Sequence, residues 1–274
     1  QSPSSAASDV YKRQVEGIFT EKEPRPFVKF WEELTSVIPP FTFWHLSKIS
    51  RSPKVLRHNL LGALLIALVG LLLTWGVGNP AQWVALSIAV YAVFSWAQAL
   101  SIRDKPTHAL IFKTPAFIWG AIAFGFIAFM GYSTGIWVAP YVEVVLGLPK
   151  TQVGLYVGST AMLSGWLGVI LGGVFSDTWR KRSPKGRIWL ILVAVVAPLP
   201  LFILMMLTND VMVFFLLFFP VNFLSTMWIG AAASTLQDLV LPRMRGAATA
   251  AFFLGTTIIG LGLGPYFVGV VSDI

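Results

Sequence analysis

The sequence predicts an all-α, polytopic membrane protein. Composition is the first reason: 56% of the 274 residues are hydrophobic and only 12% are charged, with a mean hydropathy of +0.74, whereas soluble domains carry about 25% charged residues. The second is length. Crossing the roughly 30 Å hydrocarbon layer takes about 20 helical residues, and apolar runs of that size recur at 59–78, 81–101, 115–140, 151–176, 188–207, 211–235 and 246–271. The third is charge placement: numbering the loops alternately puts 19 of the 20 Lys and Arg residues on one side, leaving Lys150 on the other. By the positive-inside rule the basic side is cytoplasmic. A missed or invented span would scramble that count.

The formal charge of +8 and pI near 9.9 would raise nucleic acid as a partner in a soluble protein. Here the cations sit between apolar runs, so the expected partner is the bilayer and not nucleic acid. There are no cysteines, which excludes disulfides, thiolate metal sites and thiol nucleophiles. His45, His58 and His108 fall in polar connecting segments without metal-ligand spacing. With no Walker-type loop and no clustered acid, His or Cys at a membrane face, neither an enzyme nor a cofactor is expected.

Residues 1–14 (QSPSSAASDVYKRQ) are polar and unlike the rest, and read as a non-native, adaptor-derived segment. Residues 15–57 mix charges, aromatics and prolines. They read as a cytoplasmic linker with a candidate amphipathic helix at 27–38 lying on the inner surface, the alternative being a linker with buried aromatics. The runs then end on turn or charge signals: Gly78-Asn-Pro80, Arg103-Asp-Lys-Pro106, Gly147-Leu-Pro-Lys150, the basic loop after Asp177, Thr208-Asn-Asp210 and Leu241-Pro-Arg-Met-Arg245. Backbone polar groups have no partner in lipid, so each run must be a helix.

At the inner end of the fourth run stands Gly172-Gly173-Val-Phe-Ser-Asp177-Thr-Trp-Arg180-Lys181-Arg182. A carboxylate at a helix end can bind a neighbouring helix N-terminus, while cations three to five residues on hold partner carboxylates or the lipid surface. That is the chemistry of a conformational latch. In the sixth run Asn222, Thr226, Gly230 and Gln237 recur at near-helical spacing, a polar stripe suited to a substrate cavity. Asn222 is its best candidate, with Ser225 or Trp228 sharing the lining. Tyr132, Ser133, Trp137, Tyr141 and Glu143 in the third run add aromatic, hydroxyl and acidic surface. Glu143 is a proton-binding candidate if buried.

The stretch Gly173 to Arg182 resembles motif A of the major facilitator superfamily, although Thr178 and Arg180 depart from its tidiest form. Arg243 and Arg245, in Leu241-Pro-Arg-Met-Arg-Gly246, resemble that family's inner loop before its eleventh helix. Gly260-Leu-Gly262-Leu-Gly264-Pro265 resembles that helix, with glycines for close packing and Pro for bending. Within the superfamily, residues 114–274 are similar to the spinster group, associated with lysolipid and sphingolipid transport. The resemblance implies a C-terminal half lacking its last helix, with 58–102 a two-helix insertion and the N-terminal half absent. A rival register makes the third run the family's first helix. The implied function is secondary active transport of a lipid-like or amphipathic small molecule in a bacterial inner membrane. An efflux or organic-anion carrier, or a non-transporting scaffold, is the alternative.

Overall fold

The structure, a computed structural model, describes residues 52–272 without a break, together with 41–50 and Phe27, Val28, Trp31, Leu34, Thr35 and Ile38. The segment 1–14 and most of 15–40 lie outside the described residues. All regular structure among the described residues is helical. Helix α1 (Phe41–Ile49) precedes α2 (Pro53–Val77) and α3 (Pro80–Arg103), the first two spans, and α4 (Lys105–Phe112) is a short connector. Helices α5 (Pro115–Val144) and α6 (Lys150–Arg182) are the third and fourth spans. Each remaining span is broken: α7 (Gly186–Val196) with α8 (Pro198–Leu207), α9 (Val211–Thr226) with α10 (Trp228–Asp238), and α11 (Arg245–Thr256) with α12 (Gly262–Ser272). Among the described residues seven helices are long and apolar enough to cross a membrane, as the apolar runs predict.

Local chemistry sets the boundaries. Pro53, Pro80 and Pro115 open α2, α3 and α5, where a missing N–H is harmless. The α2–α3 hairpin turns on Gly78 (φ 81°) and Asn79 (φ 54°), both left-handed, and Gly147 (φ 69°) ends the α5–α6 connection. These are conformations that glycine and asparagine tolerate best. Asp104 caps α4, accepting from the Thr107 backbone N–H at 3.1 Å and its hydroxyl at 2.6 Å, and Asp210 caps α9 through the N–H groups of Met212 and Val213.

The breaks inside spans have identifiable causes. Pro198 and Pro200 interrupt the fifth span around Ala197. In the seventh, one π-turn at Thr257–Leu261 precedes Pro265, and the Gly262 carbonyl accepts from the Gln82 side chain of α3. Trp83 stacks edge-on against Tyr266 at 5.2 Å in the same crossing. The two-helix hairpin is therefore fastened to the last span.

Lipid tails are as apolar as leucine, so helix association here depends on close packing and interhelical hydrogen bonds. Gly260 and Gly264 show the packing: a Cβ on Gly264 would lie 2.7 Å from the Phe129 carbonyl, and one on Gly260 2.7 Å from Ala128 Cβ. Two buried clusters form along the axis of spans three to seven. One holds Phe117, Phe124, Leu190, Trp228, Leu236 and Phe252, the other Val138, Val142, Met205, Phe214 and Phe218. Leu61, Leu64, Leu65, Leu68 and Leu72 of α2 are exposed, as a lipid-facing surface requires.

Candidate functional site

Between the two clusters lies a cavity of about 300 Å³. Its walls come from the middle of α5 (Phe126 to Val138), from Val157 and Ala161 of α6, from the proline-interrupted fifth span (Ala194 to Phe202), and from Phe218 to Ser225 of α9. It is open on one side, where Gly131 and Gly135 are exposed and a Cβ would meet nothing within 4 Å. The lining side chains are apolar except for Thr134, Asn222 and Ser225. Asn222 donates to the Ala161 carbonyl at 3.1 Å and to Ser164 Oγ at 2.8 Å. It thus fastens α9 to α6 while forming part of the wall, so the packing role and the lining role coincide.

Ser225 shares this wall, while Thr226, Gln237, Tyr132, Trp137, Glu143 and Trp228 do not line it. Thr226 turns its hydroxyl to its own helix, donating to the Asn222 carbonyl at 3.0 Å, and lies beside Gly165 and Gly168. Gln237 donates to Thr249 Oγ1 at 2.8 Å, joining α10 to α11. Gln237 lies 15 residues beyond Asn222, roughly 22 Å along the span, and so meets other neighbours than the pocket. Trp137 donates to the Pro265 carbonyl at 2.9 Å and packs on the last span. Tyr132 sits against the Gly260 approach. Glu143 is half-exposed, 3.6 Å from the Lys150 ammonium across the α5–α6 turn, outside the cavity lining. Trp228 is buried against Phe124 and Phe252.

At the end of α6 the charged motif forms a network within the chain. Arg180 donates to Asp238 Oδ2, and Arg187 donates to the same oxygen at 2.6 Å and to Asp177 Oδ1 at 3.3 Å. The Arg187 side chain is 14% exposed, against 68% for Asp177. Asp238, at the end of α10, is therefore the acceptor for the Arg180 cation within the chain. Lys181, Arg182, Arg243 and Arg245 are exposed. The motif's second glycine is not the packing one. A Cβ on Gly173 would meet nothing, whereas one on Gly172 would lie 2.6 Å from Met227 Cα, and one on Gly168 would collide with the Phe223 carbonyl. At Gly186 the collision would be with the Trp179 and Arg180 backbone, which holds the basic loop tightly folded.

Two features here were open to sequence reading and missed. Asp238 is the sole acid between Asp210 and Asp273, and it stands at the same end as the cations of the basic loop. Asp104 lies in the α3–α4 connection, where its hydrogen bond from Thr107 holds its carboxyl below the ordinary aspartate range, with Arg243 adding a smaller pull. Burial pushes the neighbouring His108 imidazole down, and Lys113 adds to that.

Seven membrane-length helices among the described residues, an apolar pocket between them and a charged network at the end of α6 describe a polytopic membrane protein. The chain is similar to an MFS-type efflux pump of Mycolicibacterium smegmatis, 26% identical over 164 residues, which is 60% of this chain and 38% of that protein. It is likewise similar to spinster homolog 1 of Xenopus laevis, 25% identical over 177 residues (60% and 34%), and to spinster homolog 3 of Mus musculus, 25% over 173 residues (58% and 34%). No family model and no solved structure matches it. The chain is thus similar in sequence to spinster homologs and to an efflux pump of the major facilitator type. It spans little more than a third of the length of the curated relatives it matches.

Proposed function

We propose that the chain is the greater part of one half of a secondary transporter that works by alternating access, and that its substrate is an amphipathic, lipid-like molecule. The observation that carries this is the cavity. A space of about 300 Å³ at the middle of the spans, walled by apolar side chains with only Thr134, Asn222 and Ser225 as hydrogen-bonding side chains, suits an alkyl chain with a small polar group better than an ion. Secondary transporters bind near the bilayer midplane, where polar groups are expensive and therefore sparse. Likeness to an efflux pump and to spinster homologs supports transport.

The latch belongs to the same cycle. Asp177, largely exposed beside Arg187, is the group through which an N-terminal half would engage this one, while Asp238 holds the cations in place. Residues 58–102 are a two-helix insertion and 114–274 the transport half, in a bacterial inner membrane with the basic loops cytoplasmic, as the charge asymmetry supports. A polyspecific efflux or organic-anion carrier is the second reading, favoured by the mycobacterial relative's description as an efflux pump.

The test uses the full-length transporter in proteoliposomes, with Gly131→Leu and Gly135→Leu as cavity-filling variants, since both positions have free space. Both variants should lose uptake of a fluorescent lysophospholipid while retaining expression and helicity. Normal lysophospholipid flux in both would refute the cavity assignment. Saturable uptake of carboxyfluorescein, with no competition from lysophospholipid, would favour the organic-anion reading.

A further inference from the structure

From residue 34 to residue 103 the chain contains five Lys or Arg and no Asp or Glu. Helix α1 lies in this stretch and is two-faced. Thr42, His45 and Leu46 are buried, packed against α2 and α3. Phe41, Phe43 and Trp44 are exposed at 52%, 42% and 55%, and Lys48 lies with its ammonium 3.6 Å from the centre of the Trp44 ring.

Geometry fixes the depth of this surface. Four residue steps separate Ile49 from Pro53, where the first span begins, and four steps reach at most about 14 Å. The buried face is tied lower still. Thr42 donates to the Tyr91 hydroxyl at 3.3 Å, and Tyr91 donates to Asn59 Oδ1 at 2.8 Å. Asn59 donates to Ser95 Oγ at 3.0 Å and Gln98 Oε1 at 2.9 Å, and Gln98 donates to the Val55 carbonyl at 2.8 Å. Asn59 lies in the second turn of α2, so α1 is held at the level where that helix enters the bilayer.

We propose that the outer face of α1 is a docking surface for anionic phospholipid in the leaflet on the basic side. At that depth the exposed aromatics meet the interface that suits Trp and Phe best, and Lys48, Lys54 and Arg57 extend their charged ends toward the headgroups. The charge selects the lipid: Lys48, Lys54 and Arg57, all exposed, attract a negatively charged surface and discriminate against a zwitterionic one. Through Thr42 and Tyr91 the occupied surface is joined to both helices of the hairpin, whose Gln82 holds the last span. The proposal depends on the membrane placement and not on the transported substrate.

The absence of cysteine makes the test direct. Phe41→Cys, labelled with an environment-sensitive dye, is placed in nanodiscs of phosphatidylcholine alone or mixed with phosphatidylglycerol, with Leu64→Cys as the lipid control and Lys185→Cys as the aqueous one. With phosphatidylglycerol the label should resist acrylamide and be quenched by a shallow doxyl lipid. In phosphatidylcholine alone the protection should fall severalfold. Lys48→Gln and Lys54→Gln should each lower the phosphatidylglycerol preference about fivefold, with unchanged helicity confirming the fold. Equal protection in both lipids, acrylamide access equal to that of Lys185→Cys, or protection without doxyl quenching, the mark of a protein cover, would each overturn the proposal.

Discussion

Replacing Asp238 by Asn tests whether the charge network at the end of α6 is held from within the chain. The variant keeps an oxygen that can accept a hydrogen bond but removes the charge shared by Arg180 and Arg187. A hydrogen bond to a charged group contributes about 1.5–3 kcal/mol when shielded, and an exposed ion pair about 0–1 kcal/mol. Arg187 is largely buried, so its pair with Asp238 belongs near the bottom of the first range, about 1.5 kcal/mol. Arg180 is 45% exposed, so its pair contributes about 0.5 kcal/mol. Asp238→Asn should therefore destabilise the chain by about 2 kcal/mol, roughly thirtyfold in the unfolding equilibrium. SDS titration in mixed micelles, followed by circular dichroism, measures this. Double-mutant cycles then separate the pairs: with Arg187→Gln the coupling should be about 1–2 kcal/mol, and with Arg180→Gln it should be small and vanish near 1 M salt. A coupling to Arg187 no larger than that to Arg180 would refute the assignment of Arg187 as the anchoring cation.

In the full-length protein, Asp177→Asn should shift the inward/outward balance, read by accessibility of a reporter thiol, and leave substrate preference unchanged; altered preference with normal cycling contradicts a latch role. Gly172→Leu should destabilise by about 3 kcal/mol through collision with the Met227 backbone. Gly173→Ala, with free space around it, should be neutral or stabilising by about 0.5–1 kcal/mol; equal effects in the same SDS titration would negate the assigned crossing. The Asp104 carboxyl has a lowered pKa, so its stabilising contribution is complete at neutral pH. It begins to fall below the ordinary aspartate value near about 4 and is lost through the lowered folded-state value. Thr107→Val should flatten that acid limb of the stability curve without changing the neutral plateau's slope, and an unchanged limb would exclude the Thr107 hydrogen bond as its cause.

What the sequence determined by itself was the repetition. Apolar runs of span length, stop signals at Gly78, Asp104 and Gly147, and capping residues such as Asp210 are local properties, and the structure places helices and turns accordingly. Span entry was less legible. The first span begins at Pro53, ahead of its apolar run, because Lys54 and Arg57 lie in helical turns continuous with it. The tertiary structure decided which polar residues face which neighbour. Asn222, Thr226 and Gln237 recur at near-helical spacing, but Gln237 stands 15 residues beyond Asn222, roughly 22 Å along the span, where α11 and not α6 is its neighbour. Asn222 consequently lines the cavity, while Gln237 faces α11. Likewise, the spacing of Asp177, Arg180, Lys181 and Arg182 revealed a charged loop. That its cation closes on Asp238, 58 residues away, depended on α6 and α10 crossing at glycines, and contact between helices distant in sequence is not encoded in the periodicity of either one.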